Sequence, residues 1–130
     1  MNETVSRLMK SYLPMSEQSF LLLLCLLEPC HGYGVMQMVA NQSDGRINLG
    51  PSTVYTILYK MEQDGLIEVT AEVERRKVYV ITSVGRQILE AEAMRINELS
   101  RFSNMVLVRH NAALPSGKEL ESFAERGRRA

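Results

Sequence analysis

The side chains best suited to binding chemistry lie between Pro51 and Asp64. If this segment is an α-helix, one face carries hydroxyl groups, an amide and two aromatic rings. That face consists of Ser52, Tyr55, Thr56, Tyr59 and Gln63. A helix face that is merely solvated usually carries more Glu and Lys. Hydroxyl and amide groups bond to phosphate oxygens and base edges, so this face has the chemistry to contact the major groove of DNA.

The opposite face of the same segment is apolar and is expected to lie in the protein core. It consists of Val54, Ile57, Leu58 and Met61. The start of the segment, at Pro51, would direct free backbone N–H groups outward, and such groups suit a phosphate. The alternative is that Tyr55 and Tyr59 only cover neighbouring apolar surface, with their hydroxyl groups in water.

Three consecutive cations, Arg75, Arg76 and Lys77, form the densest cationic cluster of the first hundred residues. We expect them at the base of a β-hairpin, where the wing of a winged helix would meet the DNA backbone. Glu72 and Glu74 flank the cluster and would oppose phosphate binding. The alternative is an ordinary solvated strand end.

The overall charge does not indicate a nucleic-acid-binding protein, because 15 Lys and Arg residues balance 15 Asp and Glu residues in the 130-residue chain. Residues 1–65 carry four cations, at positions 7, 10, 46 and 60, against six acids, at positions 3, 17, 28, 44, 62 and 64. An acidic segment is poor for non-specific DNA affinity. A winged-helix module that binds another protein is therefore the alternative function, whereas the side chains of residues 51–64 favour specific DNA binding.

The hydrophobic pattern predicts helices over residues 1–13, 16–28 and 51–64, the last one ended by Gly65. A turn at residues 31–34 is expected to open one more helix, which the turn-forming residues 41–45 end. Strands are expected over residues 66–70 and 74–82, with the hairpin tip at 71–73. A long helix capped by Thr82 or Ser83 should follow, from about residue 84 to 109. Three helices followed by a hairpin form a winged helix-turn-helix. The predicted fold is mainly α, with a two-stranded β wing, an N-terminal helix and a long C-terminal helix.

These elements divide the chain into three expected regions. Residues 1–82 form a winged helix-turn-helix DNA-binding domain with its N-terminal helix, and residues 83–109 form a dimerisation helix. Residues 110–130 are a tail that either holds a short helix near Lys118 to Glu125 or is mobile.

Four segments match one known family in order and spacing: HGYG at 31–34, LGPSTVY at 49–55, MEQDGLI at 61–67 and RKVYVIT at 76–82. With them, the sequence resembles the PadR family of bacterial transcriptional regulators over about residues 15 to 108. The resemblance implies a homodimeric winged-helix repressor that binds double-stranded DNA. It also implies residues at or near the DNA, namely Tyr33, Ser52, Thr53, Tyr55 and Lys60, with Arg76 and Lys77 in the wing. The chain departs from the family in lacking Gly or Pro at the hairpin tip and Trp anywhere, so a drug site built from stacked tryptophans is not expected.

The last predicted helix carries a broad apolar band that a small domain cannot bury by itself. The band contains Ile88, Leu89, Ile96, Leu99, Phe102, Val106 and Leu107. A partner helix would bury it in a two-fold dimer, and the resemblance implies that this helix also packs against the partner's N-terminal helix. The predicted interface is therefore Leu8, Met9, Ile88, Ile96, Leu99, Phe102 and Val106. The alternative is packing of the band onto the N-terminal helix of the same chain.

Methionines suggest a ligand at this interface. Met9, Met15, Met94 and Met105 lie on the candidate dimer elements, and methionine adapts to irregular apolar ligands. The resemblance points the same way, because some members of the family bind flat aromatic or cationic drugs at the dimer centre. A hydrophobic or aromatic effector that releases the repressor is thus expected, and methionine as ordinary core filling is the simpler alternative.

Other classes of protein are disfavoured. The chain has two histidines, no glycine-rich phosphate loop and no nucleophile-elbow serine, so we expect no enzyme and no cofactor. Cys25 and Cys30 do not form a C-x-x-C pair, and the adjacent Cys30 and His31 would rarely both reach one ion, so no metal site is expected. The longest apolar run, residues 20–27, is too short to span a membrane, and no signal peptide is evident. We expect a cytoplasmic protein.

Overall fold

The structure is a computed structural model that describes residues 2–110. The helices and strands are α1 Glu3–Tyr12, α2 Glu17–Cys25, β1 Cys30–His31, α3 Gly32–Gln42, α4 Pro51–Gln63, β2 Ile67–Val73, β3 Arg76–Ile81 and α5 Ser83–Arg109. The mainly helical winged fold predicted from the sequence is confirmed. The short helix expected near Lys118 to Glu125 lies outside the described residues.

The described chain divides into two compact units. The first unit ends at Ala93 and the second begins at Met94. Helix α5 therefore starts in the first unit and continues in the second. None of the helices within residues 2–110 is both long and apolar enough to cross a lipid bilayer.

Polar side chains fix where the helices begin. The Ser16 hydroxyl accepts a hydrogen bond from the Ser19 N–H at 3.1 Å, as its position before α2 predicts. Thr82 rather than Ser83 caps α5, because the Gly85 N–H donates to the Thr82 hydroxyl oxygen at 3.1 Å. Each such cap is worth about 1 kcal/mol, since it satisfies a backbone donor that the helix itself cannot.

The core of the first unit is formed by the four helices α1, α2, α3 and α4, the sheet and the start of α5. Its buried hydrophobic residues are Val5, Leu8, Leu22, Leu23, Cys25, Leu26, Val35, Val39, Leu49, Val54, Leu58, Met61, Leu66, Ile67, Tyr79, Ile88 and Leu89. Leu8 and Ile88 are predicted interface residues, yet they are 5% and 0% exposed within one chain. Because their side chains are already enclosed by this core, they offer no surface to a second copy.

A buried carboxyl group lies on α5 between Leu89 and Ile96 of the apolar band. Glu92 is 1% exposed, and its Oε2 accepts a hydrogen bond from the Met15 N–H at 2.9 Å. A buried polar group is tolerated when hydrogen-bond partners compensate for its lost hydration. Glu92 thus holds the segment between α1 and α2 against the first part of α5.

The sheet contains a strand that the hydrophobic pattern does not reveal. Strands pair antiparallel in the order β1-β3-β2, with Cys30 opposite Tyr79 and His31 opposite Val78. The sequence predicts only a turn at His31, because a two-residue strand is too short to show alternation. This strand joins the start of α3 directly to β3 of the wing.

The hairpin tip lies later in the chain than the sequence predicts. Val73 pairs with Arg76, so Glu74 and Arg75 form a two-residue turn, with φ angles of 52° and 66°. Turns of this kind are usually recognised by Asn-Gly or a similar pair, which is absent here. The expected tip at 71–73 is therefore wrong. Arg75 lies in the turn, and Arg76 and Lys77 begin β3, so the cationic cluster is at the tip of the wing and not at its base.

Candidate nucleic-acid interface

Helix α4 has the two faces that its sequence predicts. Val54, Leu58 and Met61 are buried, and Ile57 packs partly against the same core. The opposite face is exposed and includes Ser52, Thr53, Tyr55, Thr56, Tyr59 and Gln63. Tyr55 and Tyr59 are 49% and 66% exposed, so about half or more of each side chain is available to a ligand. This surface matches the polar face predicted to contact DNA.

The ring of Tyr55 lies directly over Gly32, the first residue of α3. A Cβ atom at position 32 would be 2.8 Å from both Cε1 and the hydroxyl oxygen of Tyr55. That distance is shorter than van der Waals contact, so any larger residue at 32 would displace the ring. Gly32 therefore positions Tyr55. Sequence reasoning missed this role because the two residues meet only through the packing of α3 on α4.

Position 32 is held in turn by a local cap. The Gly34 N–H donates to His31 Nδ1 at 2.9 Å, which fixes the first turn of α3. The adjacent Cys30 thiol donates to the His31 carbonyl oxygen at 3.4 Å. His31 and Cys30 thus have identifiable structural roles at the junction of β1 and α3.

The predicted cations of the wing come together with Tyr55 in one open cleft of about 340 Å³. The cleft is lined by Gly32, Tyr55, Arg75, Arg76, Lys77 and Tyr79, and we call it the tyrosine–wing cleft. Tyr33 borders it, since the guanidinium carbon of Arg76 is 6.0 Å from the Tyr33 ring centroid. Three cations beside the exposed ring of Tyr55 can bind phosphate oxygens and contact bases or sugars at the same time.

Tyr79 is a site residue that the sequence gives no reason to single out. Its pKa is raised above the usual value, first by burial and then by the nearby Glu62 carboxylate and Tyr55. Its place in the cleft depends on the pairing of β3 with β1, which the hydrophobic pattern does not reveal.

Lys60, by contrast, is engaged away from the residues that line the cleft. Its Nζ lies 3.0 Å from Asp64 Oδ2 and 5.1 Å from the centroid of the Tyr12 ring. The Tyr12 hydroxyl donates to the same Asp64 oxygen at 2.6 Å. This hydrogen bond, and then Lys60, hold the pKa of Asp64 below its usual range, while burial and Asp64 raise the pKa of Tyr12. The spacing of Lys60 and Asp64 could have indicated their pairing, but nothing local indicates Tyr12.

The second unit presents the distal part of α5 with several exposed apolar side chains. Leu99 and Phe102 are 57% and 61% exposed, and Ile96 and Val106 are half-buried. These four recur at intervals of three and four residues, so they lie along one helix face. Met94 and Met105 are also exposed, whereas Met9 and Met15 pack partly against the core of the first unit.

The winged fold and the tyrosine–wing cleft are consistent with the protein family that the sequence matches. A profile of the transcriptional regulator PadR-like family matches residues 21–91, which is more than half of the chain. The chain belongs to the PadR-like family. The matched residues include all of α4, both strands of the wing and the first residues of α5.

Individual relatives support this assignment. A PadR family transcription regulator from Clostridium difficile is 27% identical, with a TM-score of 0.58 over 68% of this chain and 97% of that one. A transcriptional regulator from Clostridium thermocellum, 19% identical, has a TM-score of 0.59 over 76% of this chain and 96% of that one, which is a likeness of fold. An uncharacterised 37.1 kDa protein of a Streptomyces fradiae transposon is 34% identical over 82 residues. That match covers 62% of this chain and 23% of the length of the relative.

As a PadR-like protein, the chain is a DNA-binding transcription regulator and not an enzyme. Its fold places α4 beside the wing, which is the arrangement of winged-helix regulators.

Proposed function

We propose that this PadR-like protein is a sequence-specific repressor that acts by occupying an operator. In this proposal α4 enters the major groove and the wing contacts the neighbouring backbone. The observation that carries the proposal is the tyrosine–wing cleft, where Tyr55 of α4 lies with the cations Arg75, Arg76 and Lys77.

The exposed residues divide between two kinds of contact. Cations of the wing bind phosphates without regard to sequence. The hydroxyl groups and rings of α4 can contact base edges, and they belong to Ser52, Thr53, Tyr55, Thr56 and Tyr59. Tyr33, beside Arg76, extends the same surface toward the start of α3.

The acidic charge of residues 1–65 does not favour the protein-binding alternative once the cations are located. Arg75, Arg76 and Lys77 are concentrated on the same cleft as Tyr55, although the net charge of the chain is zero. Local concentration of this kind is sufficient for phosphate binding.

We further propose a cytoplasmic homodimer on a pseudo-palindromic operator. The face formed by Ile96, Leu99, Phe102 and Val106 would pack against its copy in the partner, which removes exposed apolar surface from water. Two-fold symmetry then places two α4 helices on two half-sites. Exposed Met94 and Met105 lie on the same helix and support a hydrophobic or aromatic effector that releases the repressor.

The decisive experiment is a titration against the DNA upstream of the protein's own gene, across a salt series. We expect tight binding that weakens steeply with salt, relative to a scrambled duplex of equal length and composition. Tyr55→Ala and Arg76→Ala should each lower affinity about tenfold or more, since each removes a contact worth about 1–3 kcal/mol. Only Arg76→Ala should reduce the salt slope, by about one.

Equal and feeble affinity for both duplexes would refute specific DNA binding. Repeating the titration with flat aromatic cations tests the effector, because release of DNA is expected at saturating ligand. Affinity that is unchanged at every ligand concentration counts against the effector and leaves DNA binding intact.

A further inference from the structure

Lys60 occupies a special place on the recognition helix. It is the single Lys or Arg within α4, and it lies in the last turn, next to the exposed Tyr59. When a recognition helix enters the major groove, its first residues meet base edges and its later residues approach the backbone. A cation in the last turn is therefore positioned to meet a phosphate.

The ammonium group of Lys60 already has two partners on the protein. Asp64 Oδ2 lies 3.0 Å from its Nζ, and the Tyr12 ring centroid lies 5.1 Å away. Tyr12 contributes twice, because its hydroxyl also donates to that Asp64 oxygen at 2.6 Å. The carboxylate is thus held in place from α1 while it pairs with Lys60.

We propose that Asp64, positioned by Tyr12, restrains Lys60 on the protein and so limits the affinity of α4 for the DNA backbone. This inference rests on the proposed DNA-binding function. To reach a phosphate, Lys60 must give up one anion for another, and the carboxylate left behind repels the phosphate. Asp64 is then a negative determinant of affinity, which keeps binding dependent on Tyr55 and the wing.

A double-mutant cycle on the wild-type protein, Asp64→Asn, Lys60→Ala and the double variant tests this inference. Each is titrated with the upstream duplex across a salt series. Asp64→Asn should raise affinity about two- to fivefold, the value of an exposed ion pair, and steepen the salt slope by about one. Lys60→Ala alone should change affinity less than about twofold, because Lys60 is not yet free to bind phosphate.

In the double variant the gain should disappear, since the freed cation is absent. The matched control is Glu62→Gln, which removes one negative charge from the same helix and leaves the pairing of Lys60 and Asp64 intact. This variant should not steepen the salt slope. Thermal melting of each variant confirms that it is folded, and the Lys60→Ala result tests the inference without Asp64→Asn.

Two outcomes would overturn the inference. An equal gain from Asp64→Asn with and without Lys60 would mean that only general charge matters. A tenfold loss in Lys60→Ala, with a shallower salt slope, would mean that Lys60 already binds phosphate. Either result is compatible with specific operator binding by the wild-type protein, whereas wild-type protein that fails to prefer the upstream duplex refutes the proposed function itself.

Discussion

Gly32 and Gly85 each lie in the first turn of a helix, where an added methyl group would overlap another part of the chain. At Gly32 of α3 an added Cβ would meet the far end of the Tyr55 side chain. At Gly85 of α5 it would overlap the backbone carbonyl oxygen of Leu66 and lie close to Ile81. A long side chain can rotate away, but a backbone carbonyl at a strand end cannot. The same substitution is therefore expected to affect binding at one site and folding at the other.

We predict that Gly32→Ala leaves the free energy of unfolding within about 1 kcal/mol of wild type, because better helix propensity offsets the displaced ring. Its affinity for the upstream duplex should fall about tenfold, since Tyr55 no longer occupies its position in the cleft. Gly85→Ala should instead cost about 3 kcal/mol or more, as overpacking against backbone does. Chemical denaturation and DNA titration measure the two effects. Unchanged DNA affinity in Gly32→Ala would show that the placement of Tyr55 is not needed.

The two turn residues of the wing are not residues that favour the backbone conformation of this turn. Glu74 and Arg75 both have positive φ, although neither is a residue that favours this conformation. Beyond Ile67, strand β2 is exposed, so little packing compensates for that cost. The position of the cations at the tip offers a reason for the sequence, because Asn-Gly would remove Arg75 from the cleft that it lines. Stability and the proposed phosphate binding therefore make opposite demands at position 75, but not at position 74.

Glu74→Asn separates these demands. Asn accepts a left-handed backbone more readily than Glu, so we expect the free energy of unfolding to rise by about 0.5–1 kcal/mol. Loss of a negative charge beside the wing cations should also raise DNA affinity about two- to threefold. Glu72→Gln is the control, because it removes a charge from β2 but not from the turn. It should raise affinity without raising stability, and an equal rise in stability for both variants would contradict the role of the turn.

For the whole molecule, the exposed apolar face on the second unit is the feature that a single chain leaves unexplained. Leu99 and Phe102 are well exposed on α5, whereas Ile88, earlier on the same helix, is fully buried in the first unit. One helix therefore serves two purposes along its length. Its first part completes the core of the first unit, and its later part exposes the apolar face that we propose as the dimer surface.

We predict that Phe102→Glu converts the proposed dimer into a monomer, because a charge at the centre of an apolar interface loses its hydration. Affinity for an operator with two half-sites should fall about a hundredfold, because each protomer would then bind its half-site independently. Asn97→Glu places the same charge elsewhere on α5 and should leave both properties unchanged. Sedimentation velocity measures the oligomeric state. A Phe102→Glu variant that still sediments as a dimer would move the interface to another surface.

Local patterns in the sequence were sufficient to predict the faces of α4, the Ser16 cap and the order of the helices and wing strands. The division of α4 into a buried face, with Val54 and Leu58, and an exposed face, with Tyr55, follows from helical spacing. Ser16 as a cap and the order of the helices and wing strands follow from local signals of the same kind, which act within a few residues. Together with four short motifs, these were enough to indicate the family.

Which elements contact one another depends on tertiary packing, which local patterns do not encode. Periodicity shows that a face is buried but not what buries it, so the placement of Leu8 and Ile88 in their own core could not be read from spacing. Tyr12 and Asp64 form a hydrogen bond across 52 positions of the chain, and Gly32 meets Tyr55 through the packing of two helices. Arg75 occupies a turn that has no sequence signature. The recognition surface was therefore predictable as a set of residue types, whereas the contacts that position it depend on the fold.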